Sequence, residues 1–248
     1  MTTKRTILVT GGGSGIGRAC AERLARDGCS VMVADRDVEG GQATVAAIAA
    51  TGGDARFTAL DVTDEASVIA AVNAAVAAYG RIDGAINSAG IPQTAQPVHA
   101  LGADDWHRVL TVNLTGMFYC LKHQIAAMLE TGGGAIVAIS SAAALKGLLN
   151  SADYCASKAG ILGLVRGAAV DYAEQGIRVN ALLPGGSDTP LAHRSSASNP
   201  ALAGTLRVPM MRMSSPAEIA AAAVWLVSPD SSYVTGASIS VDGGMTIA

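Results

Sequence analysis

The chain has 248 residues, 50% hydrophobic and 15% charged, with a net charge of −3 and a pI near 5.8. That length accommodates one α/β domain over 1–248 with a large core, and the composition excludes a disordered chain or one that coats nucleic acid. Residues 1–5 lead straight into an apolar run, and later apolar stretches are too short or too interrupted to cross a bilayer, so a cytoplasmic location is expected.

Residues 7–9 form a short β-favouring run that enters Thr10-Gly11-Gly12-Gly13-Ser14-Gly15-Ile16-Gly17. Ala19, Cys20, Leu24 and Ala25 then recur at helical spacing, predicting a helix over 17–27. Strand, glycine turn and helix together form the context of a dinucleotide fingerprint. Glycines admit a pyrophosphate close to the backbone, and the helix start offers free N–H groups and a positive dipole end. Gly11, Ser14, Gly15, Ile16 and Gly17 are the candidate phosphate cradle.

A second strand over 31–34 ends at Asp35, 18 residues after Gly17. That is near the ~20-residue offset of the carboxylate that binds the adenosine ribose. Its charge would repel a 2′-phosphate. Arg36 could bind one, but Ser14 leaves the glycine loop without a second cation, so NAD is the expected cofactor. Further strands are expected over 57–60, 84–87, 135–140, 178–183 and 237–241. Helices are expected over 37–50, 64–79, 104–130, 153–175 and 216–227. This alternation predicts a single-domain Rossmann doubly wound parallel sheet of about seven strands flanked by helices. Ligand would bind where the carboxyl ends of the strands converge.

Within the helix over 153–175, Tyr154 and Lys158 stand at i and i+4 and share a face. Ser141 lies thirteen residues before Tyr154, at the end of a strand. A free tyrosine is a poor base near neutrality, and a neighbouring ammonium favours its phenolate. The four cysteines show no C-x-x-C spacing and are expected to be free thiols; no metal site is expected from the histidines.

Taken in order, these motifs resemble the short-chain dehydrogenase/reductase family over essentially the whole chain. The resemblance rests on Thr10-Gly-x-x-x-Gly15-x-Gly17, Asp61-Val62, Asn87-Ser88-Ala89-Gly90, Ser141, Tyr154-x-x-x-Lys158, Pro184-Gly185 with Thr189-Pro190, and Val241-Asp242-Gly243-Gly244. Ser88 replaces the second asparagine of the family turn. Serine also bonds local backbone, so the turn should survive. The resemblance implies that Asp61, Val62, Asn87, Ala89, Gly90, Pro184, Gly185 and Thr189 help hold NAD. It also implies that Lys158 grips the nicotinamide ribose and that Asn113 positions a water for proton relay. Tyr154 would be the general acid/base, with the alcohol oxygen between it and Ser141. The same resemblance implies a homotetramer through the helices near 104–130 and 153–175 and the strand near 239–241. Phe118, Leu121 and Val165 would supply apolar surface.

A stretch near 190–208 lacks a clear period and directly follows Pro184-Gly185, so a substrate lid is expected there. Gln93, Ser141, Ala143, Leu148, Tyr154 and Gly186 are candidate substrate contacts. Ala142, Leu145, Asn150, Leu191, Leu202 and Met210 are further pocket candidates. Mostly small or apolar, they favour a neutral secondary alcohol or its ketone. Lys146, His193, Arg194 and Arg207 are the cations close enough in sequence to clamp an anion instead. The alternative enzyme is a 3-oxoacyl carrier-protein reductase using NADPH, against which Asp35 and the acidic pI argue. A nucleotide-binding regulator without catalysis is the non-enzymatic alternative, against which the complete Asn–Ser–Tyr–Lys set argues.

Overall fold

The computed structural model describes residues 4–204 and 207–248. Its first half runs β1 (Thr6–Thr10), α1 (Gly15–Arg26), β2 (Ser30–Asp35), α2 (Val38–Ala50), β3 (Asp54–Ala59), α3 (Glu65–Tyr79) and β4 (Gly84–Asn87). The second half runs α4 (Ala103–Leu110), α5 (Gly116–Leu129), β5 (Gly134–Ile139), α6 (Ala152–Tyr172), β6 (Ile177–Pro184), α7 (Pro190–Ser198), α8 (Pro216–Val227) and β7 (Ser238–Val241). The strands form one parallel sheet in the order β3-β2-β1-β4-β5-β6-β7.

β1 is buried on both faces, which is why it reads as an unbroken apolar run. Its side chains alternate between two cores. Leu8 joins Met32, Ala85 and Ile136 under α3, α5 and α6. Ile7 and Val9 join Val31, Val33 and Ile86 under α1 and α8. The strand order reverses between β1 and β4, so the loops after them part and leave a crevice at the carboxyl edge.

Three expectations need correction. The helix expected over 104–130 is interrupted by a π-helical turn at Thr111–Thr115, which carries Asn113. Leu121 and Val165 are buried against the sheet, and only Phe118 of that trio stays 44% exposed. The irregular lid is mostly helix: α7 is capped by Thr189, whose hydroxyl accepts from the Ala192 N–H, with Pro190 in its first turn. Threonine followed by proline is a helix-start signal that outweighed the missing apolar period. Residues 205 and 206 of the expected lid lie outside the described residues.

Candidate active site

The glycine turn is shaped by close approaches. Gly11 has φ +68°, and a Cβ there would sit 2.7 Å from the Ala89 nitrogen. Gly17 faces the turn itself: a Cβ would stand 2.1 Å from the Gly11 oxygen. It therefore sets the packing of α1 on the turn and does not line the cavity. Ser14 begins α1 without a side-chain cap, leaving first-turn N–H groups for an anion. Buried Thr44 of α2 steadies the turn, its hydroxyl lying 3.0 Å from the Gly12 carbonyl oxygen.

At the end of β2, Asp35 is held by two backbone donors, the Gly13 and Asp37 N–H groups, both at 2.9 Å. Asp61 follows β3. Hydrogen bonds from the Thr63 N–H and hydroxyl, and then the charge of Arg36, hold its carboxyl below the usual range. After β4, Ala89 and Gly90 line the cavity. Asn87 does not: its amide pairs reciprocally with Gln124 of α5, both bonds at 2.8 Å. Gln124 was not anticipated, since nothing near it in sequence marks it as a partner.

At the other end lie the catalytic candidates. Ser141 accepts from the Ala143 N–H at 3.1 Å, and its side chain favours the ionised form of the Tyr154 phenol. Lys158 is buried, its Nζ 3.0 Å from the Ile139 carbonyl oxygen and 5.7 Å from the centre of the Tyr154 ring. The expected depression of the tyrosine pKa by Lys158 does not emerge. Burial pushes the phenol up, outweighing the effect of the Ser141 side chain, and burial brings Lys158 down to about 8. Desolvation disfavours both charged forms and is the larger effect here.

Asn113 uses its whole amide. Oδ1 accepts from the Ile91 N–H at 2.8 Å, while Nδ2 donates to the Ile91 carbonyl at 3.0 Å and to Ser157 Oγ at 3.2 Å. It fixes the loop after β4 to α6 and does not line the cavity.

One cavity of about 480 Å³ joins these groups. Of the expected residues it is lined by Gly11, Ser14, Gly15, Ile16, Asp35, Arg36, Asp61, Val62, Ala89, Gly90, Ser141, Tyr154, Lys158, Pro184, Gly185, Leu191 and Thr189. Asp37, Leu60, Ile91 and Ser187, each a few residues past a strand end, and Val112 of the π-helical turn were missed.

Most substrate candidates fall elsewhere. Ala143 is buried within the short helical turn that follows β5, and Leu148, Gly186 and half-buried Asn150 lie outside the lining. Gln93 is also outside: its amide meets Ser195 of α7. Leu145 and Met210 are exposed and Leu202 is buried. Among the four cations, Lys146 bonds the Met245 and Ala248 carbonyls, and His193 pairs with Asp188 at 2.8 Å. Exposed Arg194 lines the cavity; Arg207 is exposed and outside it.

A family model described as enoyl-(acyl carrier protein) reductase matches residues 11–246. The 2,5-dichloro-2,5-cyclohexadiene-1,4-diol dehydrogenase of Sphingobium indicum is 44% identical, the match covering 98% of this chain and 97% of that protein. The cyclohexanol dehydrogenase of Acinetobacter sp. is 39% identical over 98% and 95% of the two chains. Levodione reductase of Leifsonia aquatica is 39% identical over 99% and 96%. A crystal structure of levodione reductase matches with TM-score 0.95 at 37% identity, covering 100% of both chains. With its parallel sheet, its glycine turn and its Ser141–Tyr154–Lys158 cluster, the chain belongs to the short-chain dehydrogenase/reductase family, enzymes that act on CH–OH groups with a nicotinamide cofactor.

Proposed function

We propose that the protein is an NAD(H)-dependent dehydrogenase of neutral, compact or cyclic secondary alcohols. The observation that carries this reading is the charge layout of one continuous cavity. Its far end gathers three carboxylates, Asp35, Asp37 and Asp61, around a single Arg36, and its near end holds Ser141, Tyr154 and Lys158. A 2′-phosphate would meet net negative charge at the far end, whereas ribose hydroxyls would meet acceptors. The volume of about 480 Å³ lies within the range of small-molecule and cofactor sites. The cradle fits a dinucleotide on geometric grounds as well: Gly11 and Gly15 line it with φ +68° and +52°, left-handed backbone that brings the main chain itself to the cavity wall.

Asp35 would hold the adenosine ribose, Leu60, Asp61 and Val62 the adenine side, and the Ser14–Ile16 N–H groups the pyrophosphate. Pro184, Gly185, Thr189 and Lys158 would surround the nicotinamide and its ribose. When bound, the nicotinamide ring supplies the acceptor or donor of hydride at the carbinol carbon. The rest falls to the chain. Ser141 holds the substrate oxygen by its hydroxyl. Tyr154 takes the alcohol proton during oxidation and returns one during reduction. Lys158 places an amine beside the phenol. Asn113 acts on the reaction through the Ile91 loop, since its own amide is engaged.

Two relatives named above act, by their names, on alcohols of six-membered carbon rings, and that class suits a cavity whose near-end walls include Ile91, Ile139 and Leu191. The test is absorbance at the nicotinamide band with NAD or NADP, using neutral cyclic secondary alcohols and carboxylated analogues of equal size. NAD and the neutral alcohols are expected to win by at least about tenfold in kcat/KM. Asp35→Ser is expected to weaken NAD and admit NADP. A preference for NADP and a carrier-linked ketoacid thioester would support the carrier-protein reductase reading that the family model's description suggests. A preference for carboxylated alcohols would make Arg194 an anion clamp.

A further inference from the structure

We infer that Gln93 is a positioning residue: through Ser195 it latches the lid helix α7 to the segment that carries the catalytic tyrosine. The inference rests on the reading of Tyr154 as acid/base, and on a run of hydrogen bonds that no local pattern explains. Gln93 is buried, and its side chain closes a ring with Ser195. Its Nε2 donates to Ser195 Oγ at 2.8 Å and approaches the Ser195 carbonyl at 3.3 Å, while the Ser195 hydroxyl lies 3.0 Å from Gln93 Oε1. The next residue, Thr94, donates its N–H to Asp153 Oδ2 at 2.9 Å. Asp153 is buried in the first turn of α6, and its Oδ1 accepts from the Tyr154 N–H at 2.7 Å. Few covalent links therefore separate the lid from the backbone of the tyrosine.

A second tie runs in parallel. Asn199, buried at the end of α7, donates to the Leu149 carbonyl at 2.8 Å, and a backbone bridge joins Gln96 to Ser151. The two segments of this junction each carry a left-handed residue, Ala95 with φ 68°, which alanine adopts rarely, and Asn150 with φ 52°. Such backbone persists only where the surroundings over-determine it. The same lid helix lines the cavity through Pro190, Leu191, Ala192 and Arg194. Docking α7 at Gln93 thus sets the substrate wall at a fixed distance from the Tyr154 hydroxyl, while Gln93 stays outside the cavity.

The experiment compares Gln93→Ala, Ser195→Ala, the double variant and Ser195→Thr, by alcohol KM, kcat, NAD affinity and thermal melting. Loss of the latch is expected to raise KM for the alcohol about tenfold in either single variant, with kcat changed less than threefold and NAD affinity within twofold. The double variant is expected to match the singles, because both remove one contact. Ser195→Thr, which keeps the hydroxyl, is expected to restore KM. If Gln93→Ala raises KM while Ser195→Ala does not, Gln93 touches the substrate directly and the latch is wrong. Single effects that multiply in the double variant, or a wild-type KM in Gln93→Ala, overturn it equally. Tyr154→Phe, assayed alongside, separates the two readings: full activity there removes the acid/base assignment, whereas the latch is judged on KM alone.

Discussion

Lys158 holds an amine in a setting that opposes its charge. Its Nζ has a carbonyl partner but no carboxylate, and burial brings its pKa from 10.5 to about 8. That difference corresponds to roughly 3 kcal/mol of unfavourable burial at neutral pH. The folded value lies below the unfolded one, so between about pH 8 and 10.5 the unfolded chain binds more protons and stability rises with pH. Below that window the burial penalty is fully present. Lys158→Met is therefore expected to stabilise the protein without added dinucleotide by about 2 kcal/mol at pH 7, the Ile139 carbonyl losing its donor in part compensation. The gain should shrink as the pH rises from about 8 to 10.5. Chemical denaturation at pH 7 and pH 10.5 checks this, and equal stability of variant and wild type at pH 7 would contradict it. The same variant should be nearly inactive, since function retains the lysine against stability. Tyr154→Phe should lower turnover at least about a hundredfold, the usual scale of acid–base catalysis. Its NAD affinity should be nearly unchanged, because the ring still packs. Retention of a tenth of the wild-type rate would remove Tyr154 from its role.

At the scale of elements, the site depends on how closely α1 approaches the end of β1. Gly17 permits that approach, since any side chain there would collide with the Gly11 carbonyl. Gly17→Ala is expected to push α1 away from the turn, destabilising by about 1–3 kcal/mol and weakening dinucleotide binding with it. For a domain of this size the melting point should fall by roughly 2–4 °C per kcal/mol. A variant that melts and binds like wild type would show that the turn yields freely. The π-helical turn at Thr111–Thr115 is a second such device. It places Asn113 where its amide can reach both Ile91 and Ser157, joining three elements through one side chain. Gly90 lies against it, a Cβ there being 3.2 Å from Asn113 Oδ1. The lid helix belongs at this scale as well, held at Ser195 and at Asn199.

For the whole molecule, apolar side chains on α5 and α6 stand exposed among the described residues. Phe118 and Leu129 are about two-fifths exposed and Val170 is 81% exposed. Side chains at Gly163 and Gly167 would meet nothing within 4 Å. β7 stands at one edge of the sheet. We therefore expect a closed homo-oligomer, a tetramer built on these two surfaces. Light scattering at micromolar concentration checks the mass, and a monomer would refute the expectation. Replacing Val170 with Asp should lower the assembly state if the α6 face is used. No helix among the described residues is long and apolar enough to cross a membrane.

Much of this was legible in the chain before folding. Strands buried on both faces must be apolar runs, and the part-buried edge strand β7 still carries Ile239 and Val241, so six of the seven segments emerged within a residue or two of their ends; only the first part of β3, half-exposed and carrying Arg56, was hidden. The order of the glycine turn, Asp35, Ser141, Tyr154 and Lys158 was equally plain, because i, i+4 spacing and strand-end positions are local properties. What only the tertiary structure decided is which polar groups find partners and which are left for ligands. Gln93 meets Ser195 across 102 residues and Asn87 meets Gln124 across 37. Nothing in a local pattern separates a glutamine that binds a lid from one that binds a substrate. The pKa shifts at Tyr154 and Lys158 have the same origin: the spacing sets the two side by side, but desolvation by the surrounding elements moves both away from their charged forms.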